Sequence, residues 1–228
     1  MIDEIKQHFD NEYPKEACGI LGIVKGKKRW FPCKNVANSN EDFILASEDW
    51  FRVKRSADIF AIVHNHINYS NAPSQNDINN CNALGTPYYI FSYPDMELNI
   101  VEPKQNFNPL IGRDYKFGVT DCFEAMRDWL LKEGIVIPKR AAFEDDWWLK
   151  GLDYFTEKTI SLWGFKKVEF PQKNDLLVFA VEDSLGNHCG VYLDNDVFFH
   201  HAENRLSCRE SLYPFWGKYI IGIYRHES

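Results

Sequence analysis

Two groups of residues in this 228-residue chain carry side chains that can do chemistry. In the first, His64 and His66 stand one residue apart just after the apolar run Ile59–Val63, and Asp77 follows further along. Alternate side chains of a strand share a face, so the two imidazoles can converge on one ion, to which Asp77 adds a carboxylate oxygen. Two neutral nitrogens and one carboxylate leave the fourth tetrahedral position open, which separates a catalytic zinc site from a structural one. One zinc ion per chain is expected. In the second group, Asp121-Cys122 opens a predicted helix, where the helix dipole and free backbone N–H groups depress a thiol pKa. His188-Cys-Gly-Val-Tyr-Leu193 reads as a strand presenting His188, Gly190 and Tyr192 on one face, so that His188 can meet Cys122 across a sheet–helix interface. A later strand carries His200 or His201 to orient that imidazole, one of the doublet facing inward and the other out. Together these supply the nucleophile, base and orienter of thiol-dependent hydrolysis. Cys18, Cys33, Cys81, Cys189 and Cys208 lack such partners in sequence and read as structural thiols.

The elements that must position these residues follow from periodicity and punctuation. Ile2, Ile5, His8 and Phe9 fall at helical spacing, giving a helix over 2–13 that ends before Pro14. Cys18–Val24 and Arg29–Val36 read as strands around a turn at Lys25-Gly26-Lys27, and Ser47 as the cap of a helix over Glu48–Arg55. Ile59–Val63 is a buried strand delivering His64 and His66. Ser74, with Asp77 three residues on, stands as the N-cap of a helix to about Leu84, and Tyr88–Tyr93 and Leu98–Glu102 are further strands. Pro103–Pro109 has two prolines and no hydrophobic period, which sets a linker over 103–110 between domains 1–102 and 111–228. Beyond it, Thr120 can cap a helix from Asp121 to Lys132, and Glu144–Trp163 reads as a helical, aromatic-rich stretch whose Trp147-Trp148 pair belongs to a core or lines a cleft. Strands are expected at Lys167–Phe170, Asp175–Val181, His188–Leu193, Val197–Ala202 and Tyr219–Tyr224. Helices first and strands last is the pattern of an α+β domain with an antiparallel sheet.

Composition bounds the partners. Hydrophobic residues make up 45% and charged residues 26%, which supports packed cores, and 33 acidic against 26 basic side chains give a net charge of −7. No run of Lys and Arg exceeds the three at Lys27-Lys28-Arg29, so neither nucleic acid nor an anionic membrane surface is an expected partner. The longest apolar runs, Ile59–Val63 and Leu176–Val181, fall far short of the roughly 18–20 residues that span a bilayer. The charged N-terminus lacks the apolar stretch of a signal peptide, and six scattered cysteines without a CxxC pair suit a reducing cytoplasm.

The string His64-x-His66, seven residues, Ser74, two residues, Asp77 resembles the signature of the JAMM metallopeptidases, and Pro14-Lys-Glu16-Ala-Cys-Gly-Ile-Leu21 is similar to that family's upstream segment. The resemblance implies an α/β/α mixed-sheet domain. It also implies that His64, His66 and Asp77 bind zinc, that Glu16 is the general base, and that Ser74 helps hold the oxyanion beside its role as a helix cap. Tyr115-Lys-Phe-Gly118, Asp121-Cys122, His188-x-Gly-x-Tyr192 and the His200-His201 doublet are similar, in that order, to the motifs of the NlpC family of papain-like cell-wall peptidases. That likeness implies Cys122 as nucleophile, His188 as base, His200 as third residue with His201 as the neighbouring alternative, and Tyr115 beside the thiol. The pairing of both domains, with Arg205-Leu-Ser after the histidine doublet, resembles the tail-tip assembly proteins of long-tailed bacteriophages. It implies a tail-assembly peptidase with two partners, phage tail-tip proteins and peptidoglycan stem peptides. It would work in the cytoplasm of an infected bacterium or at the virion tail tip. The other readings are a cellular JAMM isopeptidase acting on a ubiquitin-like tag and an inactive structural tail protein.

Overall fold

The computed structural model describes residues 1–104, 109–140 and 146–227, which divide into two compact units, Met1–Pro109 and Leu110–Ser228. Of the expected linker, residues 105–108 lie outside the described residues, as do residues 141–145 of the expected aromatic stretch.

In the first unit, α1 (Ile2–Glu12) precedes β1 (Cys18–Val24) and β2 (Lys27–Cys33), joined by a turn with positive φ at Lys25 and Gly26. Then come α2 (Ser47–Ser56), β3 (Asp58–His66), α3 (Gln75–Leu84), β4 (Tyr88–Ser92) and β5 (Leu98–Val101). The strands form one sheet in the order β2-β1-β3-β4-β5. β3 and β4 run parallel with α3 as the crossover, and every other neighbouring pair is antiparallel. Strand alternation divides the core. Ile20, Ile62 and Ile90 pack with Val53 of α2 and Cys81 of α3, whereas Leu21, Ala61, Val63 and Phe91 pack with Ile5 and Phe9 of α1. Helices therefore cover both faces of a mixed sheet, and each buried Ile or Phe contributes about 1.5–3 kcal/mol. Gly19 in β1 is dictated by this packing: a Cβ there would lie 2.2 Å from the indole of Trp30.

In the second unit, α4 (Cys122–Lys132), a 3-10 turn at Trp147–Lys150 and α5 (Glu157–Leu162) precede the strands of the sheet. The strands are β6 (Phe165–Lys167), β7 (Leu176–Phe179), β8 (His188–Asp194), β9 (Val197–His200), β10 (Cys208–Ser211) and β11 (Ile220–His226). They form an antiparallel sheet in the order β10-β9-β8-β7-β11-β6. Phe123, Met126 and Leu130 of α4 pack on Leu176, Val178, Cys189 and Val191 of the sheet.

The structure corrects several local expectations. Ser47 is the first residue of α2 rather than its cap, and Ala46 occupies the cap position with no side-chain hydrogen bond. Asp121, not Thr120, caps α4: its carboxylate accepts from Glu124 N, whereas the Thr120 hydroxyl donates to Asp114 O. The aromatic stretch is not one helix, because Gly151 adopts a left-handed conformation after the 3-10 turn and α5 starts only at Glu157. Trp147 is buried in the core. The strand expected at Lys167–Phe170 instead occupies Phe165–Lys167, and β10 has no counterpart among the expected elements.

Candidate active sites

The first site sits where β3 leaves the sheet. His64 and His66, two residues apart, place their Nε2 atoms 3.2 Å from one another. Asp77, on the first turn of α3, sets Oδ1 3.2 Å from His64 Nε2 and Oδ2 3.5 Å from His66 Nε2. These spacings provide a test of metal fit. Ligands about 2.0–2.1 Å from a tetrahedral zinc stand about 3.3–3.4 Å apart, and the three donors here are spaced 3.2–3.5 Å apart. The donor set therefore fits a zinc ion, and these are three residues whose ligand atoms cluster closely enough to hold one.

Neighbours fix each donor. His64 is fully buried and stacks on Phe43 at 4.3 Å, and His66 also hydrogen-bonds the Ser70 backbone. Burial holds the His64 pKa down, against Asp77. Although burial alone would raise the Asp77 pKa, the two imidazoles and Ser74 hold it far below the usual carboxylate range. Ser74 caps α3, with its N and Oγ both donating to Asp77 Oδ2 at 2.7 Å while its Oγ accepts from Asp77 N at 3.1 Å.

Glu16 is buried just before β1, and burial pushes its pKa up to about 7 while His66 opposes the rise. Two asparagines that sequence reading passed over hold this segment in place. Asn65, between the histidines, accepts from Ala17 N through Oδ1 at 2.6 Å, and Asn35 Nδ2 donates to Glu16 O at 2.7 Å. Asn65 is legible in hindsight, because a polar residue on the opposite face of a buried strand needs a partner.

The second site lies at the start of α4. The Asp121 carboxylate accepts from Gly118 N and Glu124 N and pairs with the Arg140 guanidinium, which fixes the turn that presents Cys122. The Cys122 thiol is held below its ordinary pKa first by a hydrogen bond with Cys189 and, against burial, by His188. Cys189 is correspondingly pushed up by burial and by Cys122. Cys189 thus meets the site rather than only filling the core.

His188, the first residue of β8, places Nε2 2.9 Å from His200 Nδ1 on β9. Gly190 permits this approach, since a Cβ there would stand 2.7 Å from Phe199 O and 3.1 Å from His200 Cβ. His200 rather than His201 therefore meets His188. His201 does not face out: it is fully buried, with Nε2 3.1 Å from Arg205 O and its ring edge-on to Tyr115 at 5.3 Å. Cys122, His188, Tyr115, Trp147, Trp148 and Trp216 line a cavity of about 370 Å³, a size that admits a short peptide segment. Sequence reading missed Glu210, whose Oε2 lies 3.2 Å from His200 Nε2 and 2.7 Å from Arg205 Nη2.

Comparison with known proteins places both halves. Residues 1–102 match the model of prokaryotic homologs of the JAB domain. The chain is 29% identical over its whole length to tail tip assembly protein K of Escherichia phage N15, covering 94% of that protein. It is 26% identical over 81% of its length to tail tip assembly protein K of Escherichia phage lambda, covering 90% of it. The expected likeness to tail-tip assembly proteins is borne out. Among solved structures, a JAB1/MPN domain protein from Archaeoglobus fulgidus matches 44% of the chain and 82% of its own at 17% identity and a TM-score of 0.33. Residues 112–225 match the NlpC/P60 family model, which covers half of the sequence, and the chain belongs to the NlpC/P60 family, with a JAB-like domain ahead of that match.

Proposed function

We propose that this chain is a phage tail assembly protein with two separable peptidase sites, of which the Cys122 site hydrolyses peptide bonds of bacterial wall peptides. The observation that carries the reading is Cys122, at the first position of α4, facing His188 in one aromatic-lined cavity while His188 in turn meets His200 behind it. In this reading the Cys122 thiol gives its proton to His188, and the thiolate attacks the scissile carbonyl carbon. As the C–N bond breaks, His188 returns the proton to the departing amine. Water, deprotonated by His188, then cleaves the thioester and regenerates the thiol.

In the N-terminal unit, His64, His66 and Asp77 would hold zinc, with Glu16 as the base that takes a proton from the attacking water and Ser74 orienting Asp77. Zinc, when bound, supplies Lewis acidity for hydrolysis of a peptide or isopeptide bond. The likeness to tail tip assembly proteins supports phage tail-tip proteins as partners and the infected host's cytoplasm or the tail tip as the place of action.

The test is digestion of purified peptidoglycan by the full-length protein, with mass spectrometry of the products. Wild type and His64→Ala should release peptide in the presence of EDTA, and Cys122→Ser should release none. EDTA-sensitive release that persists in Cys122→Ser would assign wall hydrolysis to the zinc site. Absence of release by wild type, with tail assembly intact, would favour the structural reading.

A further inference from the structure

We propose that Glu210, anchored by Arg205, acts through His200 as a positioning residue that fixes the tautomer in which His188 keeps a bare Nδ1 for the Cys122 proton. The inference rests on the thiol–imidazole reading above and extends it by one residue at each step. His200 contacts its two neighbours through different nitrogens, Nε2 toward Glu210 and Nδ1 toward His188. A neutral imidazole carries one N–H and one bare nitrogen, so fixing one contact fixes the other. Glu210 sets the direction of the relay, because an ionised carboxylate accepts and does not donate.

The roles then propagate in one direction. His200 donates Nε2–H to Glu210, which leaves His200 Nδ1 bare. His188 must therefore donate its Nε2–H across the 2.9 Å contact, which leaves His188 Nδ1 as the acceptor that remains for Cys122. A protonated His188 Nδ1 could not serve as base.

Three further observations support the assignment. The rings are held in plane: Phe198 stacks on His200 at 4.3 Å, Trp216 lies edge-on to His200 at 4.7 Å, and Trp216 stacks on His188 at 5.2 Å. Proton position, rather than ring rotation, is the remaining variable. Although burial favours the neutral acid, His200 and Arg205 hold the Glu210 pKa down to about 2, so the acceptor stays ionised through neutral pH. Cys208 Sγ also approaches His200 Nε2, but at 3.8 Å and as a weak thiol donor it does not outweigh the carboxylate at 3.2 Å. His200, Cys208 and Glu210 could together offer donor atoms to a cation, yet the Arg205 guanidinium already occupies the Glu210 oxygen facing His200. The charged and titratable groups facing the relay are Asp121, Cys189 and His188 at Cys122, with Arg140 on Asp121, and Glu210, Arg205, His201 and Cys208 at His200.

The test uses full-length protein labelled with ¹⁵N-histidine, reading the tautomers of His188 and His200 by long-range ¹H–¹⁵N correlation and the alkylation of Cys122 by iodoacetamide against pH. Both imidazoles should carry a proton on Nε2 in wild type, with His188 gaining a second proton on Nδ1 where it has taken the Cys122 proton. In Glu210→Ala the Nε2–H form should lose its dominance at both rings, and the alkylation midpoint of Cys122 should rise by at least about one unit, read as an about tenfold slower alkylation at pH values below both midpoints. Glu210→Gln, whose amide oxygen still accepts, should keep the wild-type tautomers. Should Glu210→Ala fail to fold, Arg205→Gln removes the anchor, and an unchanged alkylation rate there counts against the relay. Unchanged tautomers and an unchanged Cys122 midpoint in Glu210→Ala overturn the proposal. A wild-type Cys122 midpoint near the ordinary value of about 8.5 would instead sink the thiol–imidazole reading, independently of the tautomers.

Discussion

Ser74 and Asp77 bind one another in both directions: Ser74 Oγ donates to Asp77 Oδ2 at 2.7 Å and accepts from Asp77 N at 3.1 Å. The same carboxylate that closes the cap of α3 aims Oδ1 at His64. The helix start and the donor cluster therefore share one side chain, and the serine hydroxyl is committed to orienting Asp77. Ser74→Ala should cost about 1 kcal/mol of stability as a lost N-cap and about 10–100-fold in zinc affinity as a lost outer partner. Denaturant midpoints and chelator competition measure the two effects. A variant with normal stability and metal affinity but reduced turnover would place the hydroxyl on the oxyanion instead.

Zinc content separates the roles of the donors from that of Glu16. Wild type should carry one zinc per chain and His64→Ala close to none, as read by elemental analysis after purification without chelator. Glu16→Gln should retain the metal, because its side chain is not one of the three clustered donors. It should nonetheless lose at least about 10²-fold in turnover through removal of the base. Equal sub-stoichiometric metal in wild type and His64→Ala would remove the zinc assignment.

What the sequence revealed about these sites divides by range. The α3 cap was legible because Ser74 and Asp77 act within one turn, and the pairing of His64 with His66 because strand alternation is equally local. The cap of α4 was not, because Thr120 and Asp121 both suit the position. Only the folded chain shows that Gly118, Glu124 and Arg140 converge on the aspartate. β10 was invisible for a different reason: Cys208–Ser211 has no apolar alternation and exists as an edge strand through its pairing with β9. With it went Glu210, whose meaning depends on His200 standing across that pairing. The His200-His201 doublet misled because both rings are buried, one in the relay and one against Tyr115.

Acid should destabilise the C-terminal unit through Glu210. Its pKa lies at about 2 in the fold against an ordinary 4.5, so the unfolded chain binds the proton more readily. The stabilisation is fully present above pH 4.5 and is lost as pH falls through about 2. Urea midpoints measured between pH 5 and pH 2.5 should fall more steeply in wild type than in Glu210→Gln. Parallel slopes would mean that the pairing with Arg205 and His200 does not depress this group.

The reactivity of Cys122 weighs its two neighbours against each other. A thiol hydrogen-bonded by Cys189 and facing His188 should alkylate with a midpoint well below the ordinary value of about 8.5, and faster at neutral pH than any of the five other cysteines. His188→Ala should raise that midpoint by removing the proton acceptor. Cys189→Ala should raise it as well, because the Cys189 hydrogen bond also lowers the thiol pKa. Pairing thiolate with imidazolium makes the reactive state depend on His188 even so. Only His188→Ala should therefore abolish turnover, whereas Cys189→Ala should retain it with its pH optimum shifted upward. A Cys122 midpoint unmoved by either substitution would leave the helix N-terminus as the sole source of its activation, and would separate the thiol from both neighbours.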